Sequence, residues 1–271
     1  MQRKEGFFKG LKNFKIYYQS WLPDKKPAAV LLLCHGYGGH GGRFSTLAEY
    51  LLPKGYAVYA LDLRGHGRSD GERLVTDNPH DYIDDLKTFF DIVRKENPAE
   101  KIFLLGHSMG SFIALLYAVE YQKELAGLIV TGSGLTRPGD PPLPAPKPGQ
   151  PFDLSFISSN PEVLKRREED PLVYHGPVPA VFPMGNAPGK LYGLAPELKL
   201  PMLIMAGNDV HDGKNSRLLY ERVGSADRTL KLYDGLRHDI LSEPERYHVM
   251  ADLAAWLKST RKKNLSLKRA P

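Results

Sequence analysis

The stretch from Lys101 to Ala118 constrains this chain more than any other. Lys101-Ile102-Phe103-Leu104-Leu105 has the character of a short buried strand. It runs into Gly106-His107-Ser108-Met109-Gly110, and an apolar segment of helical length, Phe112 to Ala118, follows. Strand, glycine-flanked serine and helix in that order predict a sharp turn that lifts the serine Oγ clear of a sheet. Side chains at 106 and 110 would collide across such a turn, which accounts for both glycines. Ser108 also falls at a helix N-terminus, where free N–H groups and the helix dipole favour developing negative charge.

The rest of the chain repeats this strand-helix alternation. Ala28 to Cys34 is uninterruptedly apolar, as a strand covered on both faces of a parallel sheet requires. Further strands are expected at 14–21, 56–63, 125–131, 201–206 and 229–233. Helices are expected at 43–53, 80–96 and 214–223, with a last amphipathic one from Glu243 through Trp256. The fold class is therefore α/β, a mostly parallel central sheet with helices on both faces. Residues 135–195 break the pattern with many prolines, among them Pro138, Pro141, Pro142, Pro144, Pro146, Pro148 and Pro151. Such a run supports neither continuous helix nor a central strand. Phe152, Phe156, Ile157, Val178, Val181 and Phe182 give it apolar surface. It is expected to form a cap inserted into a core of residues 1–134 and 196–271.

Ligands of open α/β sheets bind beyond the carboxyl ends of the strands, and that rule selects partners for Ser108. His238 lies just past the last expected strand and is the expected base. It would take the serine proton on attack and return it to the leaving alcohol. His35 and His107 are expected to pack or hydrogen-bond, His66 to brace a glycine turn, and His40, His80, His175, His211 and His248 to lie at the surface. The base needs a carboxylate to fix its tautomer and stabilise the imidazolium. Asp209 is the expected one, because it follows its strand directly through Gly207-Asn208; Asp212 is the alternative. Two N–H donors should hold the oxyanion, those of Met109 and Tyr37.

These residues carry a resemblance. The chain is similar to the monoacylglycerol lipase and lysophospholipase branch of the α/β-hydrolase family, the serine aminopeptidase-like hydrolases. The resemblance runs over nearly the whole chain and is strongest in CHGYGGHGGRF (34–44), LDLRGHGRSDGER (61–73), FLLGHSMGS (103–111), DPLVY (170–174) and LKLYDGLRHDILSEPER (230–246). It implies the triad Ser108, Asp209 and His238, oxyanion donors at Tyr37 and Met109, and a lid over 135–195. It also implies a small amphiphilic ester as substrate, cleaved through an acyl-enzyme to a fatty acid and glycerol. A lysophospholipase or a broad carboxylesterase is the alternative. The chain departs from the family pattern at Ser111, where a glycine is common, and at Gly39, where eukaryotic lipases of the branch carry an acidic residue.

Composition bounds the remaining possibilities. The triad and oxyanion hole are amino-acid chemistry and call for no cofactor. No His, Cys or carboxylate set has metal-ligand spacing. No apolar run reaches the ~20 residues that cross a bilayer. A lone Cys34 and no apolar leader suit a reducing, cytoplasmic setting. The net charge of +6 comes wholly from Lys258, Arg261, Lys262, Lys263, Lys268 and Arg269, after Trp256. That segment reads as a frayed, solvated tail or as a weak contact for anionic lipid surfaces. Without an aromatic-basic platform it does not read as a nucleic-acid site.

Overall fold

The computed structural model describes residues 2–132, 135–137, 148–150, 155–180, 183–185, 187–208 and 211–266. Eight strands form one sheet: β1 (Gln2–Lys9), β2 (Lys15–Leu22), β3 (Ala29–Cys34), β4 (Tyr56–Leu61), β5 (Ile102–His107), β6 (Gly127–Thr131), β7 (Met202–Gly207) and β8 (Arg228–Tyr233). Their order is β1-β2-β4-β3-β5-β6-β7-β8. β1 and β2 run antiparallel at one edge, and every pairing from β4 to β8 is parallel. This is the α/β-hydrolase fold, as the sequence predicts.

Alternation across the pleat divides the core into two layers. In β3, Val30, Leu32 and Cys34 face one layer and Leu31 and Leu33 the other. The first layer is covered by α2 (His80–Glu96) and α3 (Met109–Tyr121), through residues such as Tyr82, Phe89 and Ile113. The second is covered by α1 (Ser45–Leu51) and α7 (Arg246–Ser266), through Leu47, Leu253 and Trp256. The Trp256 ring meets Phe103 edge-on at 5.9 Å.

Three departures from expectation have physical reasons. β1 is a strand that alternation alone conceals, because charged residues and Phe7 share its exposed positions and only Phe8 is buried. That ring stacks on Phe89 at 5.4 Å, a contact made only in three dimensions. The basic segment after Trp256 is not a frayed tail through residue 266: it continues α7, with Lys263 paired to Asp227 at 3.1 Å. Lys268 and Arg269 lie outside the described residues. Between β6 and β7 the chain forms α4 (Pro161–Glu168) and α5 (Ala187–Leu194). Asn160 caps α4 by accepting from the Glu162 N–H, and Pro161 occupies its first turn. Pro138 to Pro146, Phe152, Val181 and Phe182 are outside the described residues. Between β7 and β8 runs α6 (Asp212–Arg222).

The loop after β4 is built on buried charge. The Asp62 carboxylate accepts from the Gly41 and Arg68 N–H groups, tying this loop to the one after β3. Arg64 is 2% exposed and donates to Asp85 at 2.7 Å and Asp81 at 3.0 Å, while Asp85 also accepts from the Leu11 N–H. A buried pair stripped of one partner leaves an uncompensated charge. Asp85→Ala is therefore expected to lower unfolding stability by about 3 kcal/mol, read by chemical denaturation.

Candidate active site

Ser108 stands where the turn predicts, between β5 and α3. Its backbone adopts φ 55 and ψ −123, a strained left-handed geometry for a residue with a side chain. Two contacts make the turn possible. A Cβ on Gly106 would strike the Gly110 carbonyl, and one on Gly110 would strike the carbonyls of Cys34 and His35 at the end of β3. The Ser108 N–H donates to the Thr131 carbonyl at 2.9 Å, and the Ser111 N–H returns to the Ser108 carbonyl.

The ends of four strands converge around this serine. His238, in the loop after β8, has Nε2 2.8 Å from Ser108 Oγ. Its Nδ1 lies 2.7 Å from Asp212 Oδ2. The carboxylate on the histidine is thus Asp212 rather than the expected Asp209, which lies outside the described residues. The reason is positional. Asp212 opens α6, and this first helical carboxylate meets the imidazole. The helix starts two residues before the 214–223 expected from the sequence, which puts Asp212 in its first turn.

Electrostatics separate His238 from its neighbours. Burial works against its protonation, but the charge and hydrogen bond of Asp212 outweigh it and raise the imidazole above its ordinary value. Burial also opposes ionisation of Asp212, and His238 reverses that, so the carboxyl is held below the usual range. His35 and His66 have no such partner, and for His107 the Asp239 carboxylate, 4.0 Å away, is too weak to offset burial. Burial pushes His66 and His107 down to about 4 and His35 well below its ordinary value, so all three are neutral at physiological pH. They brace the site, as expected: His35 Nε2 accepts from the Leu63 N–H, His66 meets the Arg64 carbonyl and His107 meets Thr131 Oγ1. His40 is not the surface residue expected. It is buried, and its Nε2 lies 2.9 Å from Asp170 Oδ2.

The cleft at Ser108 is bounded by the loop after β3 (Gly36, Tyr37), by Arg43 and by the segment that leads into α4. Met109 begins α3, whose leading N–H groups have no intrahelical acceptor. Tyr37 lines the cleft. The Phe156 ring packs 4.9 Å from the His238 ring, and the Asp239 N–H donates to the Ile157 carbonyl. Among the described residues no group of three or more His, Cys, Asp or Glu side chains could hold a metal ion.

A nucleophilic serine on a strained turn, linked through a histidine to a carboxylate on this sheet, defines a serine hydrolase of the α/β-hydrolase class. The serine aminopeptidase (S33) family model matches residues 25–245, and the chain belongs to that family. It is 34% identical to the monoacylglycerol lipase of Mycolicibacterium smegmatis, over 95% of this chain and 98% of that one. It is 32% identical to human monoglyceride lipase, over 84% of this chain and 81% of that one. The crystal structure of the Paleococcus ferrophilus monoacylglycerol lipase superposes with a TM-score of 0.76 at 28% identity, over 90% of this chain and 99% of that one.

The Gly110 contact yields a test. Gly110→Ala places a methyl group against backbone carbonyls that cannot rotate away, so β3 and α3 must separate. The expected cost is about 1–3 kcal/mol of stability. Labelling of Ser108 by a fluorophosphonate should also slow, measured on protein whose circular dichroism shows it folded.

Proposed function

We propose that the protein is a monoacylglycerol lipase, in which Ser108 attacks the ester carbonyl, His238 moves the proton and Asp212 holds the imidazole. The reading rests above all on the 34% identity with the mycobacterial lipase over 95% of the chain, joined to the hydrogen-bonded series Ser108, His238, Asp212.

Attack begins with the Ser108 proton passing to Nε2 as Oγ bonds to the carbonyl carbon. The imidazolium that forms sits against the Asp212 carboxylate, which stabilises it without accepting the proton. The carbonyl oxygen takes the negative charge, and the N–H groups of Met109 and Tyr37 are its donors in this reading. Each such donor contributes ~3 kcal/mol to the transition state. Collapse expels glycerol, protonated by His238. Water then repeats the sequence on the acyl-enzyme and releases the fatty acid.

Residues 135–195 act in this reading as a lid. Its apolar side chains supply the surface for an acyl chain. Each methylene buried there is worth ~0.8 kcal/mol, so turnover should rise with acyl length until the surface is filled. The lid and the basic end of α7 would also favour adsorption to lipid. Among the described residues no helix is long and apolar enough to cross a membrane.

Purified protein assayed against 1-monoacylglycerols, lysophosphatidylcholine, triacylglycerol and aminoacyl amides tests the proposal. Monoacylglycerol should give the highest kcat/KM, and preference for an amide would overturn it. Ser108→Ala and His238→Ala are each expected to abolish turnover, with the double mutant no worse than either, because the residues act as one unit. Asp212→Asn is expected to lower kcat about 10⁴-fold, and Asp209→Asn far less. The neutral imidazole is the active base, so activity falls as pH drops through the raised His238 value. The acid limb of kcat/KM should therefore lie above 6.5, the ordinary histidine value, and move down in Asp212→Asn, which keeps the burial and loses the charge.

A further inference from the structure

Among the described residues Arg167 forms no ion pair at the Ser108 cleft, although the charges of Asp239 and Asp170 favour its charged form. It projects from α4, is 7% exposed, and lines the cleft together with Arg43. The two arginines are placed differently. Arg43 Nη2 lies 3.3 Å from Asp239, and Nη1 lies 4.0 Å from Asp170. Asp170 is further occupied by His40, and Asp239 by Ser242 Oγ at 2.8 Å. Arg167 makes a single long hydrogen bond, from Nη2 to the Tyr37 carbonyl at 3.4 Å, and its buried Nε has no partner. A buried guanidinium with an idle donor is costly unless something else fills it. Burial and the neighbouring Arg43 push it down only to about 10, so it stays charged at neutral pH.

The position of Arg167 says which half of a substrate it meets. His238 returns its proton to the leaving alcohol, so the alcohol lies on the histidine side of Ser108. Arg167 lines the same cleft as His238 and the adjacent Asp239. Arg43 and Ser242, which both bond Asp239, line the cleft as well. A guanidinium fork matches the oxygens of a phosphate or a carboxylate.

We propose that Arg167 is a specificity-determining residue that binds an anionic group, phosphate or carboxylate, on the alcohol half of the ester. This deepens the lipase reading and rests on it: the enzyme accepts acyl esters of a phosphorylated or carboxylated glycerol-like alcohol alongside neutral monoacylglycerol. The chemistry at the ester is unchanged, with the acyl group passing to Ser108 and then to water.

The test uses the full chain and hydrolysis of p-nitrophenyl butyrate, which reports the site whatever its natural alcohol. Glycerol, glycerol 3-phosphate and glycerate are compared as competitive inhibitors. At least one anion should inhibit with a Ki about tenfold or more below that of glycerol, the worth of one charge-assisted hydrogen bond. The stronger of the two anions identifies the group. In Arg167→Gln the anion's advantage over glycerol should fall about tenfold, and Arg167→Lys should restore part of it. The ratio of kcat/KM for 1-acylglycerol 3-phosphate to that for 1-acylglycerol should fall likewise, through KM. Anions no better than glycerol on the wild type would overturn the proposal without any variant, as would an unchanged ratio in folded Arg167→Gln. Failure of the lipase reading appears separately, as absent turnover of neutral monoacylglycerol.

Discussion

The contact on which the rest is built is the seating of the first turn of α3 against the end of β3. Gly110 brings the helix start onto the Cys34 and His35 carbonyls at a distance no side chain would permit. That approach aims the helix N-terminus at the same cleft that the loop after β3 borders. It also forces Ser108 into its strained backbone geometry, because the chain must leave β5 and enter α3 within one residue. The parallel register then aligns the other contributors. Cys34 lies opposite Gly106, and Gly207 opposite Tyr233, so the loops carrying Tyr37, Ser108, Asp212 and His238 leave the sheet at similar height.

Around that seat the protein sorts its histidines by partner. Burial is the main force that drives an imidazole neutral, as it does His35, His66 and His107. A buried imidazole is kept chargeable where a carboxylate is hydrogen-bonded to it. His238 has Asp212 for that purpose, and Asp212 in turn owes its own ionisation to His238. The two shifts are one interaction seen from both ends. Carboxylates that face arginines instead, Asp85 on Arg64 and Asp239 on Arg43, hold loops in place.

Much of this was legible in the sequence, for identifiable reasons. Ser108 and its strand-helix setting follow from apolar runs and two glycines within eighteen residues. His238 follows from topology, since few histidines end a strand in a parallel sheet. Asp212 was harder, because adjacency to the strand end favours Asp209, and only the packing of the start of α6 against His238 singles out Asp212. β1 escaped because an edge strand has one buried position in eight and no clear alternation. Arg167 gave no signal at all: within Lys165-Arg166-Arg167 a charge run reads as a solvated helix face, and only tertiary packing turns its third member inward.

The stitching of α4 to the core has a consequence for divergence within such a family. The segment bearing Arg167 is joined to the reaction centre by a few named bonds: Ser158 to Glu243, the Asp239 N–H to the Ile157 carbonyl, and His40 to Asp170. None of these involves Ser108 or Asp212. One short helix can thus be rewritten while the bond-breaking apparatus stays as it is. On the proposed role of Arg167, a change within this helix alters the choice of alcohol while the Ser108–His238–Asp212 hydrogen bonds stay in place.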